Sequence, residues 1–105
     1  MSKLPKRYLK FFERYPEVGQ SYRAMGDSVA AAGPLDSKTQ ALVKLGIGIG
    51  ARMEGAVHSH VRKCLAAGAT PEEIRHATLQ ATTTIGFPNM MAALSWVDDV
   101  LENDS

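Results

Sequence analysis

His60 is a single imidazole set in an otherwise apolar helical stripe. Across Ala51 to Gly68, read ARMEGAVHSHVRKCLAAG, residues Met53, Ala56, Val57, His60, Val61, Cys64 and Ala67 fall on one face at 3.6 residues per turn. His58, Ser59, Arg62 and Lys63 lie elsewhere. The His60 ring therefore points inward, either as a satisfied core group or as the polar member of a pocket that Met53, Ala56 and Cys64 would help to line. In a pocket, an imidazole is suited to carry a proton to or from a bound molecule. No carboxylate of its own helix shares the face.

The other reactive side chains read as simpler groups. His58 and His60 look like a chelate, but residues two apart on a helix project about 200° from each other, so both rings cannot reach one ion and no metal site is expected. Glu54, His58 and Arg62, four apart, suit a run of surface pairs along the polar flank. His76 falls on the polar side of its helix and is expected to be exposed. Cys64 is the sole cysteine, which excludes an internal disulfide or a dithiol cycle within the chain and leaves a small hydrophobe or a lone thiol nucleophile. There is no glycine-rich phosphate loop after a strand, no G-x-S-x-G and no carboxylate pair in an evident pocket, so from spacing alone only His60 stands out.

A chain of 105 residues, 45% hydrophobic and 22% charged, fits one globular domain spanning 1–105. Its net charge of +1 gives no long-range field for nucleic acid or an anionic membrane, and Lys3, Lys6, Arg7 and Lys10 read as a solvated face. With no apolar leader and no apolar run near the roughly 20 residues of a membrane span, a cytoplasmic protein without membrane contact is expected.

Helical periodicity runs throughout, and it divides the chain into about six helices. Leu4 to Tyr15 carries Tyr8, Leu9, Phe11, Phe12 and Tyr15 between basic residues and stops at Pro16; Glu17 to Ala32 repeats Val18, Tyr22, Met25 and Val29 before Gly33-Pro34 breaks it. Asp36 or Ser37 caps a third helix, Thr39 to Ile49, whose glycines at 46, 48 and 50 each cost about 1 kcal/mol relative to alanine. Close approach of a packed helix is the favoured explanation, with room for a ligand as the alternative. The central helix runs from Arg52 to Ala67 and ends at Gly68; Thr70-Pro71-Glu72-Glu73 then starts a fifth, with Ile74, Ala77, Thr78, Ala81 and Ile85 inward. After Gly86-Phe87-Pro88, Asn89 to Leu101 is apolar around much of its circumference. An all-α bundle is predicted, and its excess of apolar surface on the first and last helices predicts a homo-oligomer.

The run HVRKCLAAGATPEEI from His60 to Ile74, followed by Gln80 and Gly86-Phe87-Pro88, resembles the carboxymuconolactone decarboxylase and alkylhydroperoxidase D-like family. Gly33-Pro34-Leu35-Asp36 and Thr39 to Arg52 are similar to its lead-in helix, so the likeness covers about 33 to 101. The family's peroxidase branch carries C-x-x-C-x-x-x-H, with a glutamate on the preceding helix. Here those positions hold Met53, Ala56, His60 and Ala41, which removes both the peroxide-reducing thiolate and the thiol that resolves it. The decarboxylase branch lacks the thiols and keeps His-x-Arg, here His60 and Arg62.

The resemblance implies helical subunits in trimers or hexamers and a cofactor-independent decarboxylase-like enzyme on a small carboxylated lactone or related acid. His60 would be its proton-transfer residue, and Arg62 would join Met53, Ala56 and Cys64 around the substrate. The competing expectations are a non-catalytic helical oligomer that binds a small ligand or partner, and a residual peroxidase working through Cys64 alone.

Overall fold

A computed structural model describes residues Lys6 to Asn103. It contains α1 (Lys6–Arg14), α2 (Pro16–Ala31), α3 (Ser37–Gly50), α4 (Glu54–Ala66), α5 (Pro71–Leu79), a 3-10 turn (Gln80–Thr83) and α6 (Phe87–Asn103). The described residues are all-α, with no strand among them. They divide at the Leu35–Asp36 junction into two compact units, next to the Gly33-Pro34 break in the sequence. Lys3, Leu4 and Pro5, part of the predicted first helix and its basic cluster, lie outside the described residues, as do Asp104 and Ser105.

The first unit is the α1–α2 hairpin, built on Phe12. Its ring lies 4.7 Å from Tyr8, 5.7 Å from Phe11 and 6.5 Å from Tyr22, with the Arg23 guanidinium 4.2 Å above its centroid. Gly19 of α2 is the reason the ring can sit there, because a β-carbon at that position would collide with it. Pro16 ends α1 and also opens α2 at its first turn, where no backbone N–H is needed. The α2 stripe Val18, Tyr22, Met25 and Val29 is exposed, together with Leu9 and Phe11 of α1 and Tyr15 at the junction of the two helices.

The second unit holds the hydrophobic core. Leu45 and Ile49 of α3, Val57, Val61 and Cys64 of α4, Ile74 of α5, Ala81 of the 3-10 turn, and Met90, Ala93, Val97 and Val100 of α6 are buried together. Thr78 is buried among them with its hydroxyl donating to the Ile74 carbonyl at 2.9 Å, so it costs the core no unpaired group.

The helix ends follow local chemistry. Asp36, rather than Ser37, caps α3 by accepting from Thr39 N–H at 2.8 Å. Gly68 ends α4 in the left-handed region at φ +94°. Thr70 and Glu73 form a reciprocal capping box, with Thr70 Oγ1 accepting from Glu73 N–H at 3.0 Å and Glu73 Oε1 accepting from Thr70 N–H at 2.9 Å. The second Glu73 oxygen meets Lys38 Nζ at 3.0 Å and ties α5 to α3. The Thr70 backbone N–H and then the Lys38 ammonium hold the Glu73 carboxyl below its ordinary pKa.

Several boundaries differ from the sequence pattern. The α4 helix starts at Glu54 rather than Arg52, because Arg52 turns the chain at φ 58° and leaves Met53 extended as the N-cap. The inward stripe of α5 continues past Leu79 only as a 3-10 turn, where the N–H groups of Thr84, Ile85 and Gly86 all converge on the Ala81 carbonyl. The α6 helix starts at Phe87 rather than Asn89, with Pro88 in its first turn.

Candidate functional site

The two histidines of His58-Ser59-His60 serve different neighbours, as their helical angle requires. His60 is half-buried and faces α3, where its Cδ2 and the side chains of Ala56 and Val57 surround the α-carbon of Gly48. A β-carbon at Gly48 would lie 3.6 Å from the ring and 3.7 Å from Ala56. The close approach expected of the α3 glycines is therefore found at position 48.

His60 Nδ1 is buried and has no hydrogen-bond partner. Such a group costs about 1–3 kcal/mol and calls for an explanation. Burial first, then the charges of Lys63 and Lys44, lower the pKa of the ring from its ordinary 6.5. The result at neutral pH is an uncharged imidazole with a free buried nitrogen, flanked by two ammonium groups from two helices.

The other predicted site residues separate. Ala56 stays beside His60, whereas Met53 is 57% exposed at the start of α4. Arg62 is half-buried. Cys64 has no exposed surface, and burial pushes its thiol up to about 11, so it is a protonated core side chain rather than a pocket wall. His76 is exposed, as its place on the polar side implied.

Gly46 and Gly50 do not follow the packing explanation. Nothing lies within 4 Å of a β-carbon at either, and both line a cavity of about 180 Å³ with Ile49, Ala77, Gln80, Ala81, Thr84 and Ile85. This cavity lies between α3 and α5 and does not include His60. Alanine at positions 46 and 50 is accordingly expected to stabilise the isolated chain by about 1 kcal/mol each. Chemical denaturation measures this, and a destabilisation would mean that both faces are covered by something more than this chain.

His58 turns to α6. Its Nε2 lies 3.0 Å from Asp99 Oδ2 and 4.0 Å from Glu54 Oε2, so the surface run predicted along α4 is joined by a carboxylate 41 positions away. Sequence reasoning missed Asp99, Lys44 and Lys63. Lys63 was legible in principle as a neighbour of His60 one turn on, whereas Asp99 and Lys44 are brought in by the packing of α6 and α3 and carry no local signal.

Comparison with known proteins gives a matching family. The model of the "Carboxymuconolactone decarboxylase family" matches residues 16–99. The match begins at α2, which the sequence resemblance left outside. An uncharacterized protein of Haemophilus influenzae is 30% identical over 62 residues, 59% of this chain, and the chain spans about half of that relative, 55% of its length. No solved structure matches the chain.

Proposed function

The chain belongs to the carboxymuconolactone decarboxylase family, and from that premise we propose a cofactor-independent decarboxylase-like enzyme that acts on a small carboxylated lactone or related acid. His60 is its proton-transfer residue. The observation that carries this reading is the buried, unpartnered Nδ1 of an imidazole whose pKa is lowered by burial and then by two nearby lysines. Lys44 and Lys63 supply what a carboxylated substrate needs, namely cations beside the group that handles the proton. Arg62 and Ala56 belong to the same proposed substrate surface, and Met53 reaches it only from the exposed end of α4.

The proposed chemistry balances without a co-reactant. The bond from the ring carbon to the carboxylate breaks, carbon dioxide leaves, and the electron pair stays on the lactone as a dienolate. The imidazolium form of His60 gives one proton to that carbon and is reloaded from water. A lowered pKa makes this imidazolium a stronger acid, and the lysines stabilise the negative charge while it exists.

Carbon dioxide release from carboxymuconolactone, and from related carboxylated lactones, tests the reading. Turnover is expected, with KM raised in Lys44→Gln and Lys63→Gln; no turnover of any member of the class would overturn it. A second reading, a ligand-binding helical protein without catalysis, is favoured by one observation, the α3–α5 cavity that excludes His60. It predicts ligand-induced thermal stabilisation that survives His60→Ala and is lost on filling the cavity through Ala77→Leu. The Cys64 peroxidase reading is opposed by the raised pKa and burial of the thiol.

We also propose a homotrimer or hexamer. Val43 and Ile47 of α3, Leu79 of α5, and Phe87 and Met91 of α6 leave large apolar side chains exposed on the second unit. Among the described residues, no helix is long and apolar enough to cross a membrane.

A further inference from the structure

We propose that Glu54, His58 and Asp99 bind one divalent transition-metal ion of the class that imidazole and carboxylate share, with zinc the representative ion. Glu54 and His58 are four residues apart and so lie one above the other on α4. Asp99 approaches from α6. One donor atom from each lies within 4.8 Å of the other two.

An ordinary ion pair accounts for only part of this arrangement. The His58 Nε2 at 3.0 Å from Asp99 Oδ2 is a complete hydrogen bond. The Glu54 oxygen, 4.0 Å from the same nitrogen, is too far for a second one. Two carboxylates thus converge on one edge of one ring, an arrangement that a bound cation would favour. The position of Glu54 in the first turn of α4 is favourable for a carboxylate there.

The donor set suits the ion. Imidazole with carboxylates is the ligand chemistry of zinc and its neighbours, whose bonds of about 2.0–2.2 Å place tetrahedral ligands roughly 3.3 Å apart. The observed separations approach that figure. The two carboxylate side chains are 59% and 55% exposed and free to rotate through the remaining distance, whereas the His58 side chain is 25% exposed and held by its helix. Three protein ligands leave a fourth position for water or for an anionic ligand. This site lies on the side of α4 opposite His60 and does not rest on the decarboxylase reading. It also departs from the absence of metal that the angle between the two histidines suggests, because the second and third ligands are carboxylates and not His60.

The test is calorimetric titration of the untagged, chelator-stripped full chain with ZnCl2, with CoCl2 as a spectroscopic substitute. Saturable binding of one Zn2+ per chain, the visible bands of a low-coordinate Co2+ complex and a rise in Tm with added Zn2+ are expected. Asp99→Asn and His58→Gln, both checked for native helicity, should each weaken binding by more than about tenfold, the least that loss of a mere outer partner costs at such sites. His76→Ala and His60→Ala should leave it unchanged. Absence of saturable binding, affinity that survives Asp99→Asn, or binding lost with His60 or His76 would overturn the proposal.

Discussion

Replacing His60 with alanine is expected to lower kcat on carboxymuconolactone by about 10²- to 10⁴-fold, the range a positioned proton donor contributes. Helical content should be unchanged, because His60 flanks the buried Val57, Val61 and Cys64 stripe rather than forming it. The pH profile gives the sharper check. In the proposed mechanism His60 acts as an acid from its protonated form, so kcat should fall as pH rises through an ionisation below 6.5. Lys44→Gln and Lys63→Gln each remove a charge that depresses this pKa and should move the ionisation upward, towards 6.5. An NMR titration of the ring reports the same shift without any substrate. A profile that ignores both lysines, or equal rates for wild type and His60→Ala, would remove the histidine from the mechanism.

The same group makes stability depend on pH in a determined direction. Its pKa is lower folded than unfolded, so between the two values the unfolded chain binds more protons. The associated stability is complete above the unfolded value of 6.5 and is lost as pH falls through the folded one. Substituting the lysines narrows this window from below, whereas substituting His60 abolishes its contribution. Under the proposed mechanism, catalysis and stability would report one ionisation with opposite preferences, since the proton that arms the acid also weakens the fold.

What could be seen in the sequence, and what could not, divides along the range of the interactions. The all-α class, the Thr70–Glu73 capping box and the left-handed Gly68 are set by residues a few positions apart, so spacing alone reveals them. The inward turn of His60 is equally local. Its environment is not, because Lys44 arrives on a separate helix and Asp99 reaches His58 across 41 positions. Cys64 illustrates the limit within a single face. It shares the His60 stripe, but helix packing places it at the centre of the core and leaves His60 at the edge. The α3 glycines show the same limit in another form: one pattern at 46, 48 and 50 conceals a packed position between two open ones.

A pair of substitutions on α3 is expected to give the largest change in stability and, with it, a reading of the assembly. Leu45 has no exposed surface, and Leu45→Ala should cost about 2–5 kcal/mol, a large part of the total for a domain of this size. Ile47, two residues on, is 66% exposed and packs against little within its own chain. In a monomer, Ile47→Ala should therefore fall within about 0.5 kcal/mol of neutral. The contrast between the two is the informative quantity. If Ile47→Ala also costs several kcal/mol, and the loss grows as protein concentration falls, a second copy must cover that side chain and the proposed homo-oligomer is supported. If Ile47 is neutral at every concentration while light scattering gives a monomer, the exposed α3 face is simply solvated, and any pocket at His60 has to be completed within one chain.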